Sequence, residues 1–147
     1  MSSEQHLPFA LTIEVRDTCL CLHLQRAARA VARRFDAALR PLSLTNGQFS
    51  LLMSLNREEA ASIGSVSALL AMDRTTLTAN LKPLERRGLV TVSIDKTDRR
   101  SRRLALTAEG RSLMVAAVPI WKRTHAALER QLKRSADALR ADLVALS

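Results

Sequence analysis

The chain has 147 residues, which suits one domain or a compact domain with appended helices. Hydrophobic residues make up 47% of it and charged residues 25%, a balance that excludes a wholly disordered chain. The net charge is +9, and residues 74–103 hold nine Lys and Arg against three Asp and Glu. This concentration of positive charge predicts a polyanionic partner for the middle of the chain, and a solvated basic face is the alternative.

The first forty residues predict a helix and no membrane anchor. The apolar run at residues 7–13, LPFALTI, is too short for an export signal or a membrane span. Two cysteines without a secretory signal predict free thiols in a reducing cytoplasm. From Asp17 to Leu39, apolar residues recur at three- and four-residue steps, so we expect one amphipathic helix that ends near Arg40.

The next segment predicts a helix followed by a helix-turn-helix unit. Thr45 and Gln48 have the spacing of a capping box, which favours a helix start at this point. Ser65 is predicted to cap a short helix, and Asp73 to cap a second one after a tight corner. Two short helices joined by a tight turn form a helix-turn-helix unit.

The second of these helices has an apolar and a polar face. Leu77, Leu81 and Leu84 fall on one side of it, and its opposite side carries hydroxyl and basic residues. Pro83 is predicted to bend the helix or weaken its later half. Gly88 is predicted to end it in the left-handed conformation. The polar side consists of Thr75, Thr78, Lys82 and Arg86.

A β-hairpin with a basic tip is predicted next. Residues 89–94 and 103–106 read as two short strands. Between them, residues 96–103 place five positive charges in eight positions, and no fold gains internally from such repulsion. We therefore expect the tip to project from the body beside the exposed helix face.

The C-terminal part predicts two further helices. Thr107 is expected to cap a long helix that reaches Leu132 and is interrupted at Pro119, and Ser135 to start a last one. Together with the first helix they show more apolar surface than a small helix-turn-helix domain buries. This excess predicts a partner subunit.

The stretches DRTTLTANLKPLERRGLV and DKTDRRSRRLALTAEG resemble the MarR family of bacterial winged-helix transcription factors. The resemblance runs from about Cys21 to Leu132, and its sharpest parts are the helix stop before Leu89, the Asp98-Arg99-Arg100 tip and the exit at residues 106–110. It implies a mainly α fold with a small β-hairpin wing, a winged helix-turn-helix with N- and C-terminal dimerisation helices. The implied division is residues 1–40, residues 41–107 for the DNA-binding lobe, and residues 108–147.

The resemblance also implies the DNA-contacting residues. A homodimer would set two recognition helices into successive major grooves of a pseudo-palindromic double-stranded operator, and the wing would enter the minor groove. Asp98 would orient the Arg100 guanidinium there, and the basic neighbours would meet phosphates. Base preference does not carry over, because Ala79 and Asn80 depart from the family's usual Arg and Leu. The implied contacts are Arg74, Thr75, Thr76, Thr78, Lys82, Asp98, Arg99 and Arg100; the alternative for the threonines is plain solvent exposure.

The two cysteines leave alternatives open. Cys19, Cys21 and His23 resemble a metal-ligand pattern as text, but on a helix Cys19 and Cys21 point about 200° apart, so we predict no metal. Cys21 falls where the peroxide-sensing branch of the family keeps its reactive thiol. That branch places tyrosine hydroxyls beside the sulfur, and this chain has no Tyr. A buried structural cysteine is therefore favoured over a sensor.

These observations predict a cytoplasmic transcriptional regulator without a cofactor, in the role of a repressor that a small molecule releases. An anionic or phenolic effector is expected between the dimer helices and the DNA-binding lobe, near Trp121 and Arg26. One alternative is a thiol- or metal-responsive regulator that senses through Cys19 and Cys21. Another is a nonspecific architectural nucleic-acid-binding protein. An enzyme is not expected, because the chain has no phosphate-binding Gly loop, zinc-protease motif or nucleophile elbow.

Overall fold

The computed structural model describes residues 7–147, and residues 1–6 of the predicted segment 1–40 lie outside this range. The fold class is the predicted one, mainly helical with a small antiparallel sheet. In chain order the elements are α1 Phe9–Thr18, α2 Leu20–Leu39, a 3₁₀ turn Arg40–Leu42, α3 Asn46–Ser54, β1 Ala61–Ser62, α4 Ile63–Leu69, α5 Arg74–Arg86, β2 Val90–Ile94, β3 Arg102–Leu106, α6 Ala108–Glu129 and α7 Ala136–Leu146.

The N-terminal segment contains two helices, so the prediction of one helix from Asp17 was wrong. Cys19 separates them in an extended conformation, with φ −66° and ψ 111°. The Thr18 hydroxyl donates to the carbonyl oxygen of Glu14 at 2.7 Å, which helps to complete the last turn of α1. No Gly or Pro lies at the break, and the apolar periodicity continues through it, so the sequence pattern does not indicate where α1 ends.

Local side-chain caps define most helix starts. Thr45 and Gln48 form the predicted capping box on α3, and Asp73 accepts from the backbone of Thr76 at the start of α5. The predicted cap of α4 was wrong by one turn. Ser62 accepts from the Ser65 backbone nitrogen, while the Ser65 hydroxyl donates back to the Ser62 carbonyl.

The sheet has the strand order β1-β3-β2, and all its pairings are antiparallel. β2 and β3 form the predicted hairpin, in register from Val90 opposite Leu106 to Ile94 opposite Arg102. β1 is only two residues long and was not predicted. It pairs Ala61 with Leu104 and thereby joins the middle of β3 to the start of α4.

The long helix α6 passes through Pro119, so the predicted interruption was wrong, and it ends at Glu129 rather than Leu132. Proline cannot donate to the carbonyl four residues earlier, which is that of Val115. The Val115 side chain is 75% exposed, so water can reach this side of the helix. On the other side, buried Met114 and Ala117 hold α6 against the core and favour a continuous helix.

One apolar core joins the helix-turn-helix unit to the sheet. The inward faces of α3, α5 and the sheet meet in it, as the apolar periodicity predicts. Leu39 and Ala117 extend the core into α2 and α6. Its most deeply buried side chains are Leu39, Leu51, Leu52, Val66, Leu77, Leu84, Val90 and Leu104.

Candidate nucleic-acid interface

Helix α5 presents a polar face that is fixed by the opposite, buried face. Leu77, Leu81 and Leu84 are all buried, and this orients the outer side of the helix toward solvent. On that side a shallow recess of about 380 Å³ collects most of the predicted recognition residues. Its lining consists of Arg74, Thr75, Thr78, Ala79 and Lys82.

Thr76 is exposed but does not line this recess, and its hydroxyl takes part in the helix cap. The Asp73 carboxylate accepts from the Thr76 backbone nitrogen at 2.8 Å and from its hydroxyl at 2.7 Å. These two hydrogen bonds hold the pKa of Asp73 below its ordinary value. Thr76 thus stabilises the first turn of α5. The sequence predicted only a DNA contact for this residue.

The corner before α5 is tightly bonded. Ala71 has φ +49°, which is unusual for a residue with a side chain. The Ser67 hydroxyl donates to the Met72 carbonyl, and the Asn80 amide lies 3.5 Å from the Met72 sulfur. The end of α4 and the middle of α5 are therefore linked through Met72.

Asp95 organises the tip of the hairpin, and the sequence analysis did not single it out. Asp95 is 7% exposed, and its Oδ1 accepts from the backbone nitrogen and the hydroxyl of Thr97, both at 2.8 Å. Its Oδ2 accepts from Arg103 Nε at 2.6 Å. The backbone and hydroxyl of Thr97, followed by Arg103, keep the pKa of Asp95 below its ordinary value. An Asp two residues before a Thr in a turn is the sequence signal that indicates such an arrangement.

Asp98 is bonded to the backbone of the turn. Its carboxylate accepts from the Arg100 backbone nitrogen at 3.0 Å. None of the ion pairs among residues 7–147 joins it to the Arg100 guanidinium, and the orientation of that guanidinium in a minor groove stays a prediction. Asp98 shapes the turn from which the Arg100 side chain projects.

Two of the five basic residues at the tip have partners within the hairpin. Arg103 pairs with Asp95 and also donates to the Ala60 carbonyl at 3.3 Å, and Arg102 donates to the Arg99 carbonyl at the same distance. The side chains of the other three enter no hydrogen bond or ion pair within the described residues. These exposed cations are Lys96, Arg99 and Arg100.

The base of the hairpin is attached to the end of α5. The Thr107 hydroxyl donates to the Gly88 carbonyl at 2.6 Å, and the Thr107 backbone nitrogen donates to the Leu89 carbonyl at 3.1 Å. Thr107 also caps α6 by accepting from the Gly110 nitrogen. One residue therefore ties the recognition helix, the wing and the long C-terminal helix together.

The two predicted effector residues lie in different places. Trp121 stacks between Phe49 and His125, with ring centroids 6.2 and 4.7 Å apart, and lines the cavities next to α3. Arg26 lines an open recess on the outer side of α2 together with Arg29 and further residues of that helix. The structure does not bring Arg26 and Trp121 into one cavity.

The cysteines lie at the junction of α1 and α2. Within the single chain Cys21 is exposed and Cys19 is half-buried, so the chain by itself does not bury the Cys21 thiol. The Gln25 amide approaches the Cys21 sulfur at 3.4 Å, and His23 Nδ1 lies 2.8 Å from the Cys19 carbonyl. No group of His, Cys, Asp and Glu side chains within residues 7–147 has the geometry of a metal site.

Comparisons with known proteins agree with this arrangement. The model of the MarR family matches residues 44–101, which run from the start of the helix-turn-helix region to the tip of the wing. The HTH-type transcriptional regulator TtmR of Methylorubrum extorquens is 36% identical over 97 residues, which are 66% of this chain and 50% of TtmR. The chain thus spans about half the length of that relative.

Two other proteins are covered more fully. The organic hydroperoxide resistance transcriptional regulator of Bacillus subtilis is 32% identical over 101 residues, which are 69% of each chain. The Mycobacterium tuberculosis transcriptional regulator MosR, in its crystal structure in complex with DNA, is 36% identical in sequence to this chain. It superposes with a TM-score of 0.81 over 88% of this chain and 93% of the MosR chain.

Proposed function

Because the chain belongs to the MarR family, we propose that it is a dimeric, sequence-specific DNA-binding regulator that represses transcription until a small molecule releases it. The observation that carries this proposal is the polar face of α5 beside the three unpaired cations of the wing. The polar face of α5 would enter the major groove of DNA, and the basic wing would follow the phosphate backbone. A cytoplasmic location is part of this proposal, and the DNA-binding role supports it.

The DNA contacts are proposed by residue type. Arg74 and Lys82 are placed to meet phosphates or guanine edges, and Thr75 and Thr78 carry short hydroxyls for phosphates or bases. Arg99 neutralises phosphates, and Arg100 enters the minor groove. Thr76 contributes through the cap of α5.

Two terminal surfaces support a dimer built from residues 1–40 and 108–147. Neither α1 nor α7 buries a single residue within the chain. Phe9 is 73% exposed and Val144 is likewise 73% exposed, which is costly for large apolar side chains. A second copy of the same chain would cover both helices by twofold symmetry. None of the helices within residues 7–147 is long and apolar enough to cross a membrane.

The effector is proposed to bind between the dimer helices and the DNA-binding lobe. A cavity of about 310 Å³ lies there, where α2 and α6 meet α3, and Trp121, Phe35 and Phe49 line it. A molecule in this position would contact both parts at once and so bias their relative arrangement. Arg26 lies outside this cavity and is left without a role in it.

A binding experiment tests the proposal. Duplexes selected from a random library should share a pseudo-palindrome with half-sites about one helical turn apart, roughly 10 base pairs between centres. Arg74→Ala should weaken binding to that duplex, while Arg130→Ala, which removes an exposed charge from the far end of α6, should not. Equal loss in both variants, or no enriched sequence, would identify a nonspecific architectural protein instead.

A thiol sensor is the second candidate, and the exposure of Cys21 favours it. The similarity to an organic hydroperoxide resistance regulator adds support. The lack of Tyr removes the hydroxyl groups that support the thiolate in the resembled branch. Organic peroxide added to the operator complex decides between the candidates, because only a sensor releases DNA in a way that Cys21→Ser abolishes.

A further inference from the structure

Ala79 lies in the middle of the exposed face of α5. Its helical phase places it almost opposite the buried Leu77 and Leu81. Thr75 lies one turn before Ala79 and Lys82 one turn after it, on the same face. Ala79 has the shortest side chain in the lining of the recess of about 380 Å³ on α5, so its methyl group forms the floor of that recess.

The positive charges of the recess lie at its two ends. Arg74 and Lys82 are separated by about 12 Å along the helix axis. The guanidinium of Arg74 reaches the first turn of α4, where a Cβ added to Gly64 would lie 3.3 Å from Arg74 Nη2. The charge of Arg74 therefore lies beside α4. Between the two ends the lining consists of uncharged residues, which are Thr75, Thr78 and Ala79.

The two threonines beside Ala79 have hydroxyl groups that can bind a base. Both residues are exposed, and neither the Thr75 nor the Thr78 hydroxyl forms a hydrogen bond within residues 7–147. Thr76 differs from them, because its hydroxyl donates to the Asp73 carboxylate. Each threonine also carries a methyl group. The middle of the recess thus offers methyl groups and short hydroxyl groups.

This chemistry distinguishes the four bases in the major groove. Guanine presents two acceptors, which a long donor such as Arg matches, and adenine is matched by the amide of Asn or Gln. Cytosine presents an amino group, whereas thymine presents a 5-methyl group beside the acceptor O4. An alanine methyl group contacts the thymine methyl group, and a threonine hydroxyl can donate to O4. Thymine is therefore the base that fits the middle of the recess best.

Asn80, which follows Ala79 in the chain, does not supply an amide to the recess. Asn80 is absent from the lining, and its amide lies 3.5 Å from the sulfur of Met72, in the corner before α5. The side chain that could recognise adenine thus lies at the flank of the helix. The middle of the exposed face is left to Ala79 and the two threonines.

We propose that Ala79 is a specificity-determining residue of α5, and that its methyl group, with Thr75 and Thr78, contacts the 5-methyl group of a thymine in each half-site. This contact rests on the proposed DNA-binding function and names the base that the middle of α5 recognises. Burial of one methyl group changes affinity by about fourfold. A twofold dimer makes the contact twice, so both half-sites together should contribute about fifteenfold.

Deoxyuridine tests the contact, because it lacks only the 5-methyl group of thymidine. Each thymine of the selected operator is replaced by uracil in both half-sites, one position at a time, and affinity is measured by fluorescence anisotropy. At the contacted position the wild-type protein should bind the thymine duplex about fifteenfold more tightly than the uracil duplex. Ala79→Gly should bind the two duplexes equally. A half-site in which no uracil replacement lowers affinity would overturn the proposal, and so would a wild-type ratio in Ala79→Gly.

Two further variants separate the contact from helix stability. Ala116→Gly makes the same change at an exposed position of α6 and should keep the wild-type ratio of thymine to uracil affinity. Ala79→Arg retains a good helix former, fills the recess and should abolish that ratio in favour of guanine at the same position. Loss of the ratio in Ala116→Gly, or its persistence in Ala79→Arg, would show that the methyl group is not recognised at Ala79.

Methylated cytosine separates the methyl group from the hydrogen-bonding groups of thymine. With guanine opposite, 5-methylcytosine at the contacted position should bind about fourfold more tightly per half-site than cytosine. Equal affinities would mean that thymine is recognised through O4, and the proposal would be wrong. If the random library yields no enriched sequence, the proposed function fails. If it yields a clear operator whose thymine methyl groups have no effect, only the role of Ala79 fails.

Discussion

Gly110→Ala should destabilise the fold although alanine is the better helix former. Gly110 lies buried in the first turn of α6. A Cβ there would lie 3.2 Å from the Leu89 carbonyl carbon and from Leu106 Cδ2, and closer still to the Leu89 carbonyl oxygen. Backbone must therefore move, and the Leu89 carbonyl would lose its alignment with the Thr107 nitrogen that donates to it at 3.1 Å. Alanine gains roughly 0.5–1 kcal/mol from helix propensity, and overpacking costs roughly 1–3 kcal/mol, so we expect a net loss of about 1–2 kcal/mol.

Urea unfolding measures this difference, and Gly47→Ala is its matched control. Gly47 lies in the first turn of α3, and a Cβ there would meet no atom within 4 Å. The same substitution should therefore be neutral or stabilise the protein by up to about 1 kcal/mol. Equal free energies of unfolding for the two variants would refute the close approach of α6 to Leu89.

Four further predictions concern the wing. Arg99→Ala should weaken binding to all duplexes alike and reduce the salt slope by about one charge, measured by anisotropy at several salt concentrations. Arg100→Ala should lose the preference for A·T-rich flanks in the same assay. Asp98→Asn, which retains an acceptor for the Arg100 nitrogen, should bind more tightly than wild type, whereas Asp98→Ala should bind with less discrimination; tighter binding by both would leave the turn without a role. Because folding lowers the pKa of Asp95, its contribution to wing order should be complete above the ordinary Asp range and decrease steadily as the pH falls from that range toward the lowered pKa, as amide exchange of Thr97 would report.

Short-range signals made much of the fold predictable. Thr45, Asp73, Thr107 and Ser135 each cap the helix that the sequence assigned to them. A cap depends on one side chain and an amide three residues away, so the sequence holds nearly all of the information. Gly88 has φ +72°, as its position after a helix predicts.

The features that the sequence did not predict all depend on contacts between residues that are far apart in the chain. The break at Cys19 has no local marker, and the two residues of β1 become a strand only because β3 lies beside them. Pro119 is a helix breaker by local rules, yet α6 continues because the buried side of the helix is held by the core. Ser62 caps α4 in place of the predicted Ser65, because β1 sets where the extended chain ends.

The candidate site also has one part that the sequence predicts and one part that depends on contacts within the folded chain. The polar face of α5 follows from a period of 3.6 residues, and Arg74, Thr75, Thr78 and Lys82 meet in one recess without further information. The hydrogen-bond partners of the wing residues could not be predicted, because a run of charged residues does not show which carboxylate accepts from which donor. The role of Asp95 was missed for this reason, and so was the hydrogen bond between Asp98 and the Arg100 backbone nitrogen.

The arrangement of the wing explains how the chain can carry so much positive charge in one hairpin. Both acidic residues of the tip are occupied by internal donors, Asp95 with Thr97 and Arg103 and Asp98 with the Arg100 backbone. Neither carboxylate forms an ion pair with the exposed cations of the tip. The hydrogen bonds that shape the turn leave the guanidinium of Arg100 in solvent, and an external anion would relieve its repulsion from nearby positive charges. A polyphosphate backbone meets this condition along the whole hairpin, so the internal bonds of the wing and its affinity for DNA arise from the same placement of two aspartates.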